Sequence, residues 1–469
     1  MKIIIASFQI AKWGGIIPHI QAKFHALKKM GHEVDIVVLH PNGITQKQYD
    51  KYVTGFEDGS YEAKLARFTE KSGYWYDETV KYWCNAYHGY FLPPSNRINV
   101  FAQDALEKWS SLVGDADVIM WNFMPTKNKI WGREGEFNYW WKFFDLPSKV
   151  KQVFIAHDAF FDIRASQISA LRDKISLIEC AHVAAYHCCE NIGIPRTLLL
   201  NPRFLESGKM PYIPMQDRDL DFFAAHIFKP IKHIDDFIRA IPYCDIKSNC
   251  WVAGVGIEQS YMTAESKVKP RYVCNRKSDP DAKDEWLGRK IWDIAEEHGM
   301  EYIGLVSGDI VNNCLQNAKF AIDPSWSAHY AKYCRTHING FIIEAMLNGC
   351  YPVLRDYSGL DTATIQDPIF DELRAVIIPW DATPKQFAAA LNKASKMSPE
   401  KYRKDTEHNY QVVMNLFNAQ SNMEYLLNVL TSDNVEQECE VGKDSENVRR
   451  ITKETMSWFG VSLPIKWST

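Results

Sequence analysis

Residues 2–8 (KIIIASF) and 34–39 (VDIVVL) are near-continuous apolar runs rich in branched side chains. Such runs predict strands buried on both faces, because a half-exposed strand would alternate apolar with polar positions. Between them, Ile16, Ile20, Phe24 and Leu27 recur at helical spacing over residues 16–30, and Gly31 supplies a natural helix stop. Strand, turn (11–15), helix and strand make one right-handed βαβ unit, the start of a doubly wound sheet. Residues 117–121 (DVIMW), 152–156 (QVFIA), 177–185 and 197–200 (TLLL) predict further strands of that sheet.

The pattern breaks over 201–219, which holds three prolines and few apolar repeats, and a linker is expected there. Strands resume at 220–225 (LDFFAA), 250–253, 300–303, 320–322 and 351–354, interleaved with helical patterns at 233–241, 310–316 and 341–348. Helical spacing continues over 385–395 and 398–430. A charged, cysteine-containing stretch follows residue 431 and precedes a last apolar piece at 456–465, so a tail is expected. The predicted fold class is α/β, with two doubly wound, Rossmann-like domains facing a cleft. The boundaries are 1–205 for the first domain, 206–430 for the second and 431–469 for the tail. Ligands of such sheets bind outside the carboxyl ends of the strands, near helix N-termini.

Composition narrows the picture. With 469 residues, 46% hydrophobic and 24% charged, the chain is globular and long enough for two domains. Its net charge of −4 excludes a uniformly basic coat for nucleic acid but leaves room for a local patch. The 13% aromatic content suits either large cores or stacking surfaces. No apolar run reaches the ~18–20 residues of a membrane span, and the N-terminus lacks a signal-peptide pattern. A cytoplasmic protein is expected. The 11 cysteines show no CxxC pairs, so reduced thiols and no metal site are expected. The sequence carries no signal for an oligomeric state.

Candidate chemistry clusters after the predicted strands. Gly14-Gly15 lets backbone N–H groups approach an anion at a helix start, although such a pair equally serves a tight crossover. His157-Asp158 directly follows the strand QVFIA, where a His can hydrogen-bond a substrate hydroxyl or accept a proton; a surface loop His is the bland alternative. Lys229 and Lys232 follow LDFFAA, where a Lys can neutralise a diphosphate leaving group; solvated loop lysines are the alternative. Glu344 lies in the apolar helix FIIEAMLNG, which is costly for a carboxylate unless it is exposed or paired with a ligand.

The block from Tyr302 to Gly359 resembles the retaining glycosyltransferases of family 4 and their GT-B relatives. A strand and turn, Ile303-Gly304-Leu305-Val306-Ser307, precedes a helix; then comes Asp323-Pro324-Ser325, then a Glu-bearing helix and a strand opening in Pro352-Val353. Gly14-Gly15, His157-Asp158 and Lys232 stand in the same order as in that family. The resemblance extends to the bacteriophage α-glucosyltransferases that modify hydroxymethylated DNA bases, which share the His-Asp step followed by an Arg-bearing segment, here with Arg164. It implies a nucleotide diphosphate sugar as co-substrate and no bound cofactor. It implies catalytic roles for His157, Asp158 and Lys232, with His157 near the transferred sugar. Donor contacts would come from Gly14, Gly15, Lys229, Ser307, Ser325, Arg335, His337 and Glu344, the last on the ribose. Two departures stand out. Thr336 occupies the place of the family's first Glu, and His226 that of the usual Arg, which brings Lys332, Arg335 and His337 forward as substitutes.

For the acceptor, residues 267–290 hold eight basic and four acidic residues, with Tyr272 and Trp286 among them. Residues 126–142 interleave Lys127, Lys129, Arg133 and Lys142 with Trp131, Tyr139, Trp140 and Trp141. Basic residues hold phosphates and aromatics stack bases. Lys127, Arg164, Arg271, Arg276 and Lys277 are the candidate acceptor contacts, for a hydroxymethylated pyrimidine in double-stranded DNA. Solvated insertions over an aromatic core are the competing explanation of these segments. A glycan or lipopolysaccharide sugar transferase and a non-catalytic binding protein on the same fold stay open. A dehydrogenase is disfavoured, because no GxGxxG follows the first strand.

Overall fold

The computed structural model describes residues 1–7, 16–40, 96–99, 104–122, 141–156, 172–181, 185–186, 189, 193–200, 203, 212–226, 228, 232–245, 249–254, 272–304, 306, 308–325, 338–355 and 372–432. These divide into two compact units. The first comprises the described residues up to 203 together with 417–432, and the second comprises 212–416.

The first unit is built on β1 (Lys2–Ser7), α1 (Ile16–Lys29), β2 (Glu33–His40), β3 (Asn96–Asn99), α2 (Ala105–Val113), β4 (Val118–Trp121), β5 (Lys151–Ala156), β6 (Leu177–Cys180) and β7 (Arg196–Leu198). Its seven parallel strands run in the order β3-β2-β1-β4-β5-β6-β7. The unbroken apolar run of β1 has a direct cause. Ile4 and Ala6 enter the core on one face of the sheet, and Ile3 and Ile5 enter the core on the other. Aromatic rings fill the first of these cores: Trp109, Trp121, Phe143, Phe144 and Phe154 pack with centroids 4.4–6.1 Å apart. Their polar edges are matched, Trp121 donating to Gln152 Oε1 at 3.0 Å and Trp109 to the Phe143 carbonyl at 2.8 Å. The second core holds a wholly buried ion pair, Lys23 of α1 with Glu179 of β6, and His19 lies 3.4 Å from the same carboxylate. Burial lowers the Lys23 pKa against the attraction of Glu179.

The second unit contains β8 (Leu220–Ala225), α3 (Ile234–Ala240), β9 (Cys250–Ala253), α4 (Ile291–Glu297), β10 (Met300–Gly304), α5 (Gly308–Asn317), β11 (Ala318–Asp323), α6 (Gly340–Leu347), β12 (Tyr351–Arg355), β13 (Val376–Ile378), α7 (Pro384–Ser395) and α8 (Pro399–Leu416). Six parallel strands run in the order β10-β9-β8-β11-β12-β13. The strand order therefore reverses between β8 and β11, where a crevice opens at the carboxyl ends in sheets of this kind. Arg218, just before β8, is buried without a carboxylate. Its guanidinium donates instead to the carbonyls of Ile213, Leu315, Ala318 and Asn348 at 2.7–3.1 Å. Two of these carbonyls close the ends of α5 and α6, where the helix dipole favours a cation.

Two readings of the sequence are corrected here. The helix expected over 398–430 is two helices, α8 and α9 (Ala419–Thr431), because Asn418 caps a new start by accepting the N–H groups of Gln420 and Ser421. Arg203 exchanges backbone hydrogen bonds with Phe417 and Ala419, and α9 then buries Met423, Leu426, Val429 and Leu430 in the second core of the first unit. The second domain thus ends before 430. Strands β3 and β13 and helices α2 and α4 were not anticipated; each is nine residues or fewer, although α2 buries Ala105, Trp109 and Val113 on one stripe. The boundary expected at 205/206 and the tail beyond 432 lie outside the described residues. Among the described residues no helix is long and apolar enough to cross a membrane.

Candidate functional site

The chemistry of the second unit gathers where β8 and β11 lie side by side. Phe222 and Phe223 of β8 register with Phe320 and Ala321 of β11, so His226 and Asp323 emerge together at the carboxyl edge. His226 is buried, with Nε2 3.0 Å from the Ile322 carbonyl and 3.8 Å from Asp323 Oδ1. The Asp323 carboxylate accepts the Ser325 N–H at 3.1 Å, the Ser325 hydroxyl, and the Asn339 amide at 2.8 Å. Burial would raise its pKa. His226, Lys232, Ser325 and Asn339 together outweigh that and bring it down to about 2. Lys232, half-buried in the segment after β8, is thus close enough for its ammonium to act on this carboxylate.

Asp323 organises the start of α6. Asn339 is its N-cap, in an extended conformation, but its side chain does not cap the helix. The amide is spent on Asp323 and, at 3.3 Å, on Ser325. The Ile342 and Ile343 N–H groups donate to the Asn339 carbonyl at 3.0 and 3.2 Å, so the anion-attracting character of this helix start falls to Gly340 and Phe341. Phe341 packs its ring 5.8 Å from Phe223 and 5.2 Å from His226, which turns this side of α6 toward β8. Glu344 follows three residues later on the same stripe and is half-buried. Gly349, at φ 67°, ends the helix and lets the chain turn into β12. A lysine and a helix start thus share one edge, with a half-buried carboxylate about one turn further along the helix. That set can hold a polyhydroxyl group and an anion together.

Of the residues singled out from the sequence, Lys232 and Ser325 are brought together at this edge through Asp323, and Glu344 lies about one turn further along α6, half-buried. Arg276 and Lys277 stand elsewhere, in the segment 272–290. The Arg276 guanidinium donates to the carbonyls of Pro280, at 3.1 Å, and Ala282, and to Asp284 at 2.5 Å, so it is spent on its own loop. Lys277 donates its backbone N–H to Asn275 at 3.1 Å, and its side chain is exposed. Gly14, Gly15, Lys127, His157, Asp158, Arg164, Lys229, Arg271, Ser307, Arg335 and His337 lie outside the described residues. Asp323 and Asn339 were missed as site residues, and His226 was noted only as a substitution. The available signal was the Asp-Pro-Ser step at a strand end. Among the described residues one group, His233, Asp235 and Asp236, brings three potential metal-ligand atoms within 4.8 Å of one another. Arg355 already pairs with Asp236 at 2.8 Å, and Arg239 lies 3.8 Å from Asp235.

No protein-family model matches the chain, and no curated protein matches it by sequence. Solved structures do match. An α-glucosyltransferase in complex with UDP aligns at TM-score 0.57 and 12% identity, covering 92% of this chain and 100% of that one. The same values hold for an α-glucosyltransferase in complex with UDP and a 13-mer DNA containing an HMU base. Anabaena HepE in complex with UDP aligns at TM-score 0.54 and 11% identity, covering 92% and 100% of the two chains. Together with the two parallel sheets, these matches give the chain the GT-B fold expected from its sequence.

Proposed function

We propose that the chain is a glycosyltransferase that moves a sugar from a nucleotide diphosphate sugar to the hydroxyl of a hydroxymethylated pyrimidine in double-stranded DNA. The observation that carries this reading is the edge at β8 and β11, where Lys232 acts on Asp323 and Asp323 in turn holds Asn339 at the start of the Glu344-bearing helix α6. In the transfer, the bond from the anomeric carbon to the diphosphate breaks. Positive charge grows on the sugar ring and negative charge on the departing diphosphate. Lys232 and the first N–H groups of α6 take up the negative charge, and preorganised donors of this kind act without further reorganisation. Glu344 accepts the ribose hydroxyls and so fixes the nucleotide. His157, beyond the described residues, acts near the transferred sugar, and retention of configuration follows from the family resemblance.

The DNA acceptor is supported by the likeness to α-glucosyltransferases solved with DNA. The basic and aromatic residues of 126–142 add to it. A duplex base must leave the stack before it can react, and aromatic side chains favour that step. The test supplies UDP-glucose with labelled sugar to three acceptors: DNA bearing hydroxymethyl pyrimidines, unmodified DNA, and a panel of glycans. The reading expects label in the modified DNA alone. Label only in the glycans overturns the acceptor assignment and leaves the donor assignment standing. No UDP binding and no turnover overturns both.

A further inference from the structure

His233 has φ 45° and ψ 32°, and among the described residues it is the one non-glycine position with positive φ. Side chains seldom adopt this left-handed conformation, and where they do, surrounding contacts hold it, often at functional sites. His233 follows Lys232 directly and stands at the N-cap of α3, its carbonyl accepting the Asp236 N–H at 3.0 Å. Helix N-caps are usually extended and cap through their own side chain. Here the backbone is left-handed and the side chain caps nothing. Instead the ring nitrogen Nδ1 meets the Asp236 carboxylate at 3.2 Å, and Asp236 also accepts Arg355 Nη2 at 2.8 Å. Arg355 is the buried last residue of β12; it donates to the Trp380 carbonyl at 3.2 Å and lies over the Phe387 ring. A strained residue beside the site lysine is therefore clamped, through one carboxylate, to the end of a core strand.

We infer that His233 is a positioning residue, whose left-handed backbone, locked by Asp236 and Arg355, aims Lys232 at the donor diphosphate. This rests on the donor reading given above. If residue 233 relaxed to the right-handed region, the peptide joining it to Lys232 would turn, and the ammonium would leave the Asp323 edge.

The test measures UDP binding by calorimetry for the full chain and for the variants His233→Gly, His233→Asn and Asp236→Asn, each alone and combined with Lys232→Ala. Glycine tolerates positive φ, so His233→Gly keeps the fold while cutting the clamp. Its affinity for UDP should fall about tenfold, as expected for a displaced contact group. Asparagine tolerates the left-handed region and supplies an amide to Asp236, so His233→Asn should recover most of the loss. In the Lys232→Ala background none of the three changes should weaken UDP further, because the clamp acts through that lysine. Additive losses in that background overturn the inference while leaving the donor reading intact. So does a His233→Gly variant with unaltered affinity. A wild-type chain that does not bind UDP overturns the donor reading, and the inference with it.

Discussion

Replacing Asp323 by Asn removes one negative charge from the edge where β8 and β11 meet and leaves the shape nearly unchanged. In the native chain that carboxylate is wholly buried, and burial alone would raise its pKa. The charges of His226 and Lys232 and the hydrogen bonds from Ser325 and Asn339 hold it at about 2, against 3.8 for the free group. The shift corresponds to about 2 kcal/mol of stability near neutral pH. Because the folded value lies below the unfolded one, that stability is fully present above about pH 4 and is lost as the pH falls through about 2. The variant forfeits it at every pH. It also gives Ser325 and Asn339 a neutral acceptor in place of a charged one, so the total loss at pH 7 should reach about 2–5 kcal/mol. Hydrogen exchange of the β11 and α6 amides in the two proteins measures it, supported by urea midpoints at pH 7 and pH 2.5. The gap between them should narrow at the lower pH. A loss below about 0.5 kcal/mol at pH 7 refutes the idea that this carboxylate fastens the loop to the helix start, and so does a gap independent of pH.

Lys232→Ala should lower kcat for sugar transfer by about a hundredfold, since it removes a preorganised donor to the leaving group; steady-state kinetics with UDP-glucose checks this. In the first unit, Glu179→Ala strands a fully buried lysine and should cost about 3–5 kcal/mol, whereas the paired change Lys23→Met with Glu179→Leu should be neutral or stabilising, read from urea unfolding of each variant. DNA affinity should fall steeply with salt; Lys277→Ala should reduce the slope of log affinity against log salt by about 0.9. Arg276→Ala should leave that slope unchanged, because its guanidinium is engaged by Pro280, Ala282 and Asp284.

How far the sequence revealed the fold depends on where each element's information lies. β1, β2, β5, β8 and β12 announce themselves as apolar runs because both of their faces are buried, and that alone forces parallel, doubly covered sheets. β3, with Asn at both ends and Arg between, carries little such signal and is defined by its pairing with β2. The break between α8 and α9 is likewise set by a partner distant in sequence. Arg203 bonds to Phe417 and Ala419 across more than two hundred positions, while the local pattern simply continues as helix. Lys232 was legible as a candidate from its place after a strand end in a doubly wound sheet, and Glu344 because a carboxylate within an apolar helix breaks a local rule. Asp323 and Asn339 break none. Their weight comes from meeting each other sixteen residues apart, which no window of periodicity contains.

The same contrast explains why the altered motif does not dismantle the site. Where the family resemblance leads one to expect an Arg after the first strand of the second domain, this chain has His226, a shorter group that cannot reach as far. Its ring packs against Phe341 and bonds the Ile322 carbonyl, so it serves the wall of the site rather than its contents. His226 still acts on Asp323 from within that wall, so the cation left to reach a ligand is Lys232, and the direction of that single lysine matters more than it would in a pair. A left-handed histidine at the next position, tied through Asp236 to the buried Arg355, restricts that direction where a glycine would leave it free. Loss of one cation and added rigidity around the other are therefore coupled features of one edge. Restoring the missing charge with His226→Arg should relieve the dependence, so that His233→Gly weakens UDP binding less in that background than in the wild type. An equal loss in both backgrounds would separate the two features and remove the reason for treating them together.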